Sequence, residues 1–166
     1  KTDLEGAFEE EEDEESKKAG KSKNRMRILI VEDEEEILSY LKEELEGDYR
    51  IMTRKNGREA YDTILADTPD LVISDIMMPE MDGFEVLAAM NQNHWIEDIP
   101  VIMISSEDSD SYIRRAYEMG VSDYISRPFD AKIVYQRVLN MIKLYAKQRR
   151  LIHLVTRQIY EKERNN

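Results

Sequence analysis

Cysteine is absent from the 166 residues, which excludes disulfides, zinc–thiolate sites and a thiol nucleophile. No apolar run approaches the roughly 20 residues that a membrane-spanning helix needs. No signal peptide is visible either, and the chain opens on Lys1 rather than methionine, so a fragment of something larger is expected. Bases are in the minority, and the net charge is −12. Residues 1–24 carry nine acids and five bases, residues 25–142 carry 25 and 12, and residues 143–166 carry two and seven. An acidic body with a small basic end is a poor match for nucleic acid, which is not expected as a partner.

What remains suits one domain with appendages. In residues 1–24 an unbroken acidic run (9–15) precedes a stretch rich in Lys and Ser. Like charges repel there and little can be buried, so the reading is a solvated linker; an acidic tail with a role of its own is the alternative. From residue 25, strand and helix signals alternate. Met26-Arg27-Ile28-Leu29-Ile30-Val31 is a short β-branched run of the kind buried on both faces of a sheet. Glu32 to Glu36 then open a helix whose Ile37, Leu38, Leu41 and Leu45 share a face, with acids at the positive end of its dipole.

A second strand at Tyr49–Thr53 leads to Asn56, a predicted cap, and a helix carrying Ala60, Ile64 and Leu65. Leu71 to Ser74 form a third strand ending at Asp75, and a helix follows from near Phe84. A polar loop from Asn91 to Asp98 precedes the fourth strand, Pro100 to Ile104. A short helix marked by Ile113, Ala116 and Tyr117 stops at Gly120, and Asp123 to Ser126 make the fifth strand. Five alternations with short connections predict a doubly wound, five-stranded parallel sheet of the α/β class.

The last helix is predicted over residues 130–163, about 50 Å at roughly 1.5 Å per residue. Val134, Val138, Met141, Tyr145, Gln148, Ile152, Val155 and Ile159 fall at alternating steps of four and three, a heptad seam with one polar position. Its start must cover the sheet. Past about Tyr145 it is either a frayed overhang or a two-stranded coiled coil, and continuation of the repeat beyond the domain favours the coiled coil. Residues 25–146 are accordingly read as the domain and 147–166 as its coiled-coil extension.

Strand one ends at Glu32-Asp33 and strand three at Asp75, and neighbouring strands of a doubly wound sheet bring these carboxylates to one edge. Open α/β sheets bind ligands at the carboxyl ends of their strands. Carboxylates so close repel unless a proton or cation lies between them, and oxygen ligands at an open edge suit Mg²⁺. Coincidental acidity is the bland alternative in so acidic a body.

Ile30-Val31-Glu32-Asp33, the segment Ser74-Asp75-Ile76-Met77-Met78-Pro79-Glu80-Met81-Asp82-Gly83, Ser105 after strand four and Arg127-Pro128-Phe129 after strand five resemble a two-component response regulator receiver domain. The resemblance implies a flavodoxin-like fold with strand order 2-1-3-4-5. It implies Asp75 as phosphoacceptor, with Asp33, Glu32 (through water), Asp75 and the Met77 backbone carbonyl around Mg²⁺. Ser105 and Tyr124 would be switch residues; the plainer readings are a cap and a half-buried strand residue. Pro79 and Gly83 would shape the loop, and the Arg127-Pro128 bond would be cis. A histidine kinase or phosphotransfer protein is the implied phosphate source, the cytoplasm the implied location, and self-phosphorylation and autodephosphorylation the only implied catalysis. A homodimer through the last helix and an output domain outside this sequence are further expectations, by analogy a diguanylate cyclase or cyclic-di-GMP phosphodiesterase.

One residue departs from the pattern. Arg127 stands where receivers normally have lysine, and its planar fork is not equivalent to an ammonium. The alternative is therefore a pseudo-receiver, a phosphate-independent dimerisation module. A phosphatase of the haloacid dehalogenase type is weaker, because it needs an acid two residues after the nucleophile, where Met77 stands.

Overall fold

A computed structural model describes residues 25–107 and 109–165; the linker reading of residues 1–24 lies outside them. Five strands alternate with five helices: β1 (Arg27–Val31), α1 (Glu35–Leu45), β2 (Arg50–Arg54), α2 (Gly57–Ala66), β3 (Leu71–Ser74), α3 (Gly83–Gln92), β4 (Val101–Ser105), α4 (Asp110–Glu118), β5 (Asp123–Ser126) and α5 (Ala131–Arg164). The strands form one parallel sheet in the order β2-β1-β3-β4-β5. This is the flavodoxin-like order, in which the chain reverses direction across the sheet between β1 and β3.

The core follows from strand periodicity, which sends alternate residues to opposite faces. Ile28, Ile30, Leu71, Ile73, Ile102, Ile104 and Ile125 point to one face, where Leu41 and Leu45 of α1 and Val134 and Val138 of α5 cover them. Leu29, Val31, Val72, Val101 and Met103 point to the other, against Ala60 and Ile64 of α2, Phe84, Leu87 and Met90 of α3, and Ala116 of α4. All four residues of β3 are buried. Covered on both sides, the central strands must be apolar throughout, and their last residues can place polar groups only at the sheet's edge.

Helix starts are set by local chemistry. Asn56 caps α2 by accepting from the Glu59 N–H at 2.8 Å. Asp82 and Glu85 make a reciprocal capping box at the start of α3, one residue before the start expected near Phe84. Of the apolar residues that mark α2 and α4, Leu65 is 62% exposed and Tyr117 48% exposed. Each is the residue beside the one that α2 or α4 turns to the sheet. The expected polar loop after α3 instead holds a 3-10 turn, Trp95–Glu97. There Trp95 tilts against Tyr61 of α2 with ring centroids 5.6 Å apart.

The seam of α5 divides where the sheet ends. Val134 and Val138 are buried and Met141 and Tyr145 half-buried, whereas Gln148, Ile152, Val155 and Ile159 are exposed. Leu151, Leu154 and Tyr160 are exposed beside them.

Candidate functional site

At the carboxyl ends of β1 and β3, hydrogen bonds of the sheet continue one residue beyond the strands. Asp75 N–H donates to Val31 O at 3.0 Å. That bond fixes Asp75 beside Glu32-Asp33, and carboxylate oxygens of Glu32, Asp33 and Asp75 lie within 4.8 Å of one another. Glu32 and Asp75 are buried, at 2% and 7% exposure, while Asp33 faces solvent. Oδ1 of Asp75 accepts from the Ile76 N–H at 2.7 Å, and Oε1 of Glu32 accepts from the Glu34 N–H at 3.1 Å.

Arg127 enters from the end of β5. Its backbone N–H donates to Ser105 O at 3.0 Å, and the Arg127-Pro128 bond is cis, as expected. Its Nη2 pairs with Glu32 Oε2 and stands 3.3 Å from Asp75 Oδ2, and its Nη1 is 3.9 Å from Glu34 Oε1. The participation of Glu34 was not read from the sequence, where it looks like one more acid in a first helical turn.

One guanidinium does not balance this much negative charge. Burial first, and then the neighbouring Asp75 carboxylate, push the Glu32 carboxyl up to about 7, against smaller opposite effects of the Glu34 N–H and Arg127. Burial likewise raises Asp75 above the usual carboxylate range despite Arg127 and the N–H groups of Ile76 and Met77. A folded-state value above the unfolded one gives stability that is present at low pH and is lost as pH rises through the folded value. In EDTA the contribution of Glu32 to the thermal midpoint is therefore expected to fall as pH rises from 4.5 to about 7, and Glu32→Gln should flatten that fall. An equal slope in the variant would show that Glu32 is not the titrating group.

The loop after Asp75 is held down by glycine. Gly83 N–H donates to Ile76 O at 2.7 Å, and a Cβ on Gly83 would meet Asp75 O at 2.3 Å. Gly57 approaches the same loop, with its N–H 3.0 Å from Met81 O and a would-be Cβ 2.1 Å from that atom. Pro79 is exposed on the loop, as is the Met77 side chain. The Met81–Gly57 contact carried no sequence signal, since it joins residues distant along the chain.

Ser105 is fully buried at the end of β4, and its Oγ accepts from the Glu107 N–H at 3.1 Å. Tyr124 of β5 is 8% exposed and its hydroxyl donates to Glu107 O. The two residues singled out as switches thus meet at the same β4–α4 loop residue, Glu107, which carries no motif of its own.

Comparison with known proteins gives a consistent picture. Residues 28–139 match the family model described as Response regulator receiver domain. The chain is 35% identical over 121 residues to Histidine kinase P4 of Formosa agariphila, covering 73% of this chain and 9% of that protein. It is 32% identical over 118 residues to the alkaline phosphatase synthesis transcriptional regulatory protein PhoP of Bacillus subtilis, covering 70% and 48%. This chain therefore spans under half the length of these curated relatives. Among solved structures, the signal receiver domain of a putative Luxo repressor protein from Vibrio parahaemolyticus superposes with a TM-score of 0.72 at 26% identity, covering 76% of this chain and 97% of that one. A matched family segment of this extent, carried on the fold and edge described above, places the chain in the response regulator receiver domain family.

Proposed function

We propose that this chain is a phosphoacceptor switch in which Asp75 takes a phosphoryl group from a histidine kinase or phosphotransfer protein. The observation that carries the reading is the edge itself: a buried aspartate at the end of β3, with Glu32 and Asp33 within 4.8 Å and a cation 3.3 Å away. A carboxylate oxygen of Asp75 attacks phosphorus, the bond to the donor's leaving group breaks, and an aspartyl phosphate results.

The acidic set fits Mg²⁺: its donors are all oxygens, one of them solvent-facing, and the carboxylates carry more charge than Arg127 offsets. Glu32, Asp33, Asp75 and the Met77 carbonyl would hold the ion, whose charge would neutralise the equatorial phosphoryl oxygens. Arg127 contributes the opposing positive charge. Ser105 holds a hydroxyl at the end of the neighbouring strand; turning it from Glu107 toward the phosphoryl group, with Tyr124 following, would rearrange the surface of α4, β5 and α5.

The exposed continuation of the seam on α5 supports a homodimer through residues 147–166, and an output domain joined beyond them would read its packing. Related chains named as kinases and transcriptional regulators leave that output open. No helix among the described residues is long and apolar enough to cross a membrane, and action in the cytoplasm belongs to the same proposal, as does the lack of catalysis beyond its own phosphorylation and dephosphorylation.

Incubation with acetyl phosphate and Mg²⁺ should add one phosphoryl increment to the intact mass. The increment should disappear in EDTA and in Asp75→Asn. A specific observation favours a second reading, the phosphate-independent module, because Arg127 already engages both buried acids. No increment with acetyl phosphate, phosphoramidate or a phosphorylated kinase would select it.

A further inference from the structure

We propose that Arg127 is a built-in counter-cation that latches the acidic pocket, so that a divalent cation enters only by taking carboxylate oxygens from the guanidinium. This rests on the reading above that the pocket holds Mg²⁺. Each buried acid has one oxygen committed to the backbone: Glu32 Oε1 to the Glu34 N–H at 3.1 Å and Asp75 Oδ1 to the Ile76 N–H at 2.7 Å. The remaining oxygens, Glu32 Oε2 and Asp75 Oδ2, converge on a single nitrogen, Nη2 of Arg127. Those are the oxygens left to an incoming metal ion. Nη1 reaches toward Glu34 at 3.9 Å, which extends the head across three acids from two directions.

The posture of the arginine shows what holds it there. Its side chain is only 14% exposed, and its Nε is buried without a hydrogen-bond partner among the described residues. An unsatisfied buried donor is costly, and a guanidinium free to choose would turn two nitrogens to one carboxylate. Here the head instead spreads its terminal nitrogens over separate acids and gives up the third donor. A lysine at this position would present one ammonium on a flexible stem, able to follow a single oxygen away from the others. The exchange of lysine for arginine thus keeps the charge and adds a bridge.

The outcome is a metal-free state that is electrostatically closed, in which cation entry and release of Glu32 by Arg127 are one event. Arg127→Lys separates the bridge from the charge, because the charge is unchanged. Titration of the 166-residue chain with MgCl₂ alone, by calorimetry at neutral pH, should give a dissociation constant at least fivefold lower in Arg127→Lys than in the wild type. Melting in EDTA supplies a readout without metal: Arg127→Ala should melt several degrees below the wild type, and MgCl₂ should raise its midpoint more than it raises the wild type's. Dissociation constants within twofold of each other for wild type and Arg127→Lys would overturn the latch while leaving the metal-binding reading intact. No binding heat in wild type, Arg127→Lys or Arg127→Ala would overturn the metal-binding reading, and the latch with it. If Arg127→Ala does not fold, the comparison with Arg127→Lys decides alone.

Discussion

Replacing Gly83 with alanine is expected to destabilise the domain by about 3 kcal/mol, at the upper end of ordinary overpacking, and to lower the thermal midpoint by about 10 °C. A Cβ there would stand 2.3 Å from Asp75 O and 2.9 Å from Ile76 Cα, both backbone atoms that no rotamer change can move aside. The start of α3 would have to lift off the end of β3. It would then lose the 2.7 Å bond from Gly83 N–H to Ile76 O and disturb the capping box of Asp82 and Glu85. Since Asp75 lies at the strand end against which Gly83 packs, phosphoryl uptake should slow as well. Gly47→Ala is the control. Nothing lies within 4 Å of its would-be Cβ, so its midpoint should stay near the wild-type value. Equal midpoints for the two variants, followed by circular dichroism, would remove the close approach from the account.

Deleting residues 147–166 is expected to convert a dimer into a monomer. Ile152, Val155 and Ile159 are 66%, 47% and 55% exposed, and a helical overhang of about this length is marginal in water without a partner. Burying a seam of such residues against a second copy, at about 25 cal/mol per Å² of apolar area, supplies the stabilisation that propensity alone does not. Ile152→Lys combined with Ile159→Lys should have the same effect as the deletion without shortening the helix. Sedimentation velocity at tens of micromolar distinguishes the cases. A monomer for the full chain as well as the truncated one would eliminate the coiled coil.

The fold was legible because its signals are local and repeated. β-branched runs ending in acids, caps such as Asn56 and the alternation of strands with helices each pointed to the same layered sheet. The candidate site was legible for a related reason: the pair Glu32-Asp33 directly follows one strand and Asp75 another, so sheet topology alone brings them together. The particulars that escaped depend on tertiary geometry. Glu34 faces Arg127 only because β5 delivers that side chain across the sheet edge. Glu107 receives Tyr124 and serves Ser105 only because the β4–α4 loop folds over β5. The exposure of Leu65 and Tyr117 was not legible, because a helical period of 3.6 leaves flanking positions ambiguous when an apolar residue falls beside the true inward one.

The central claim is that Asp75, and not another group at this edge, carries the phosphoryl group. An acyl phosphate is reduced by borohydride to an alcohol, which turns a phosphorylated aspartate into homoserine and leaves other carboxylates untouched. After treatment with acetyl phosphate and Mg²⁺, reduction and proteolysis, peptide mass spectrometry should find homoserine at position 75 and nowhere else. Modification at Glu32 or Asp33, a borohydride-stable phosphate on Ser105, or no modified peptide would contradict the account.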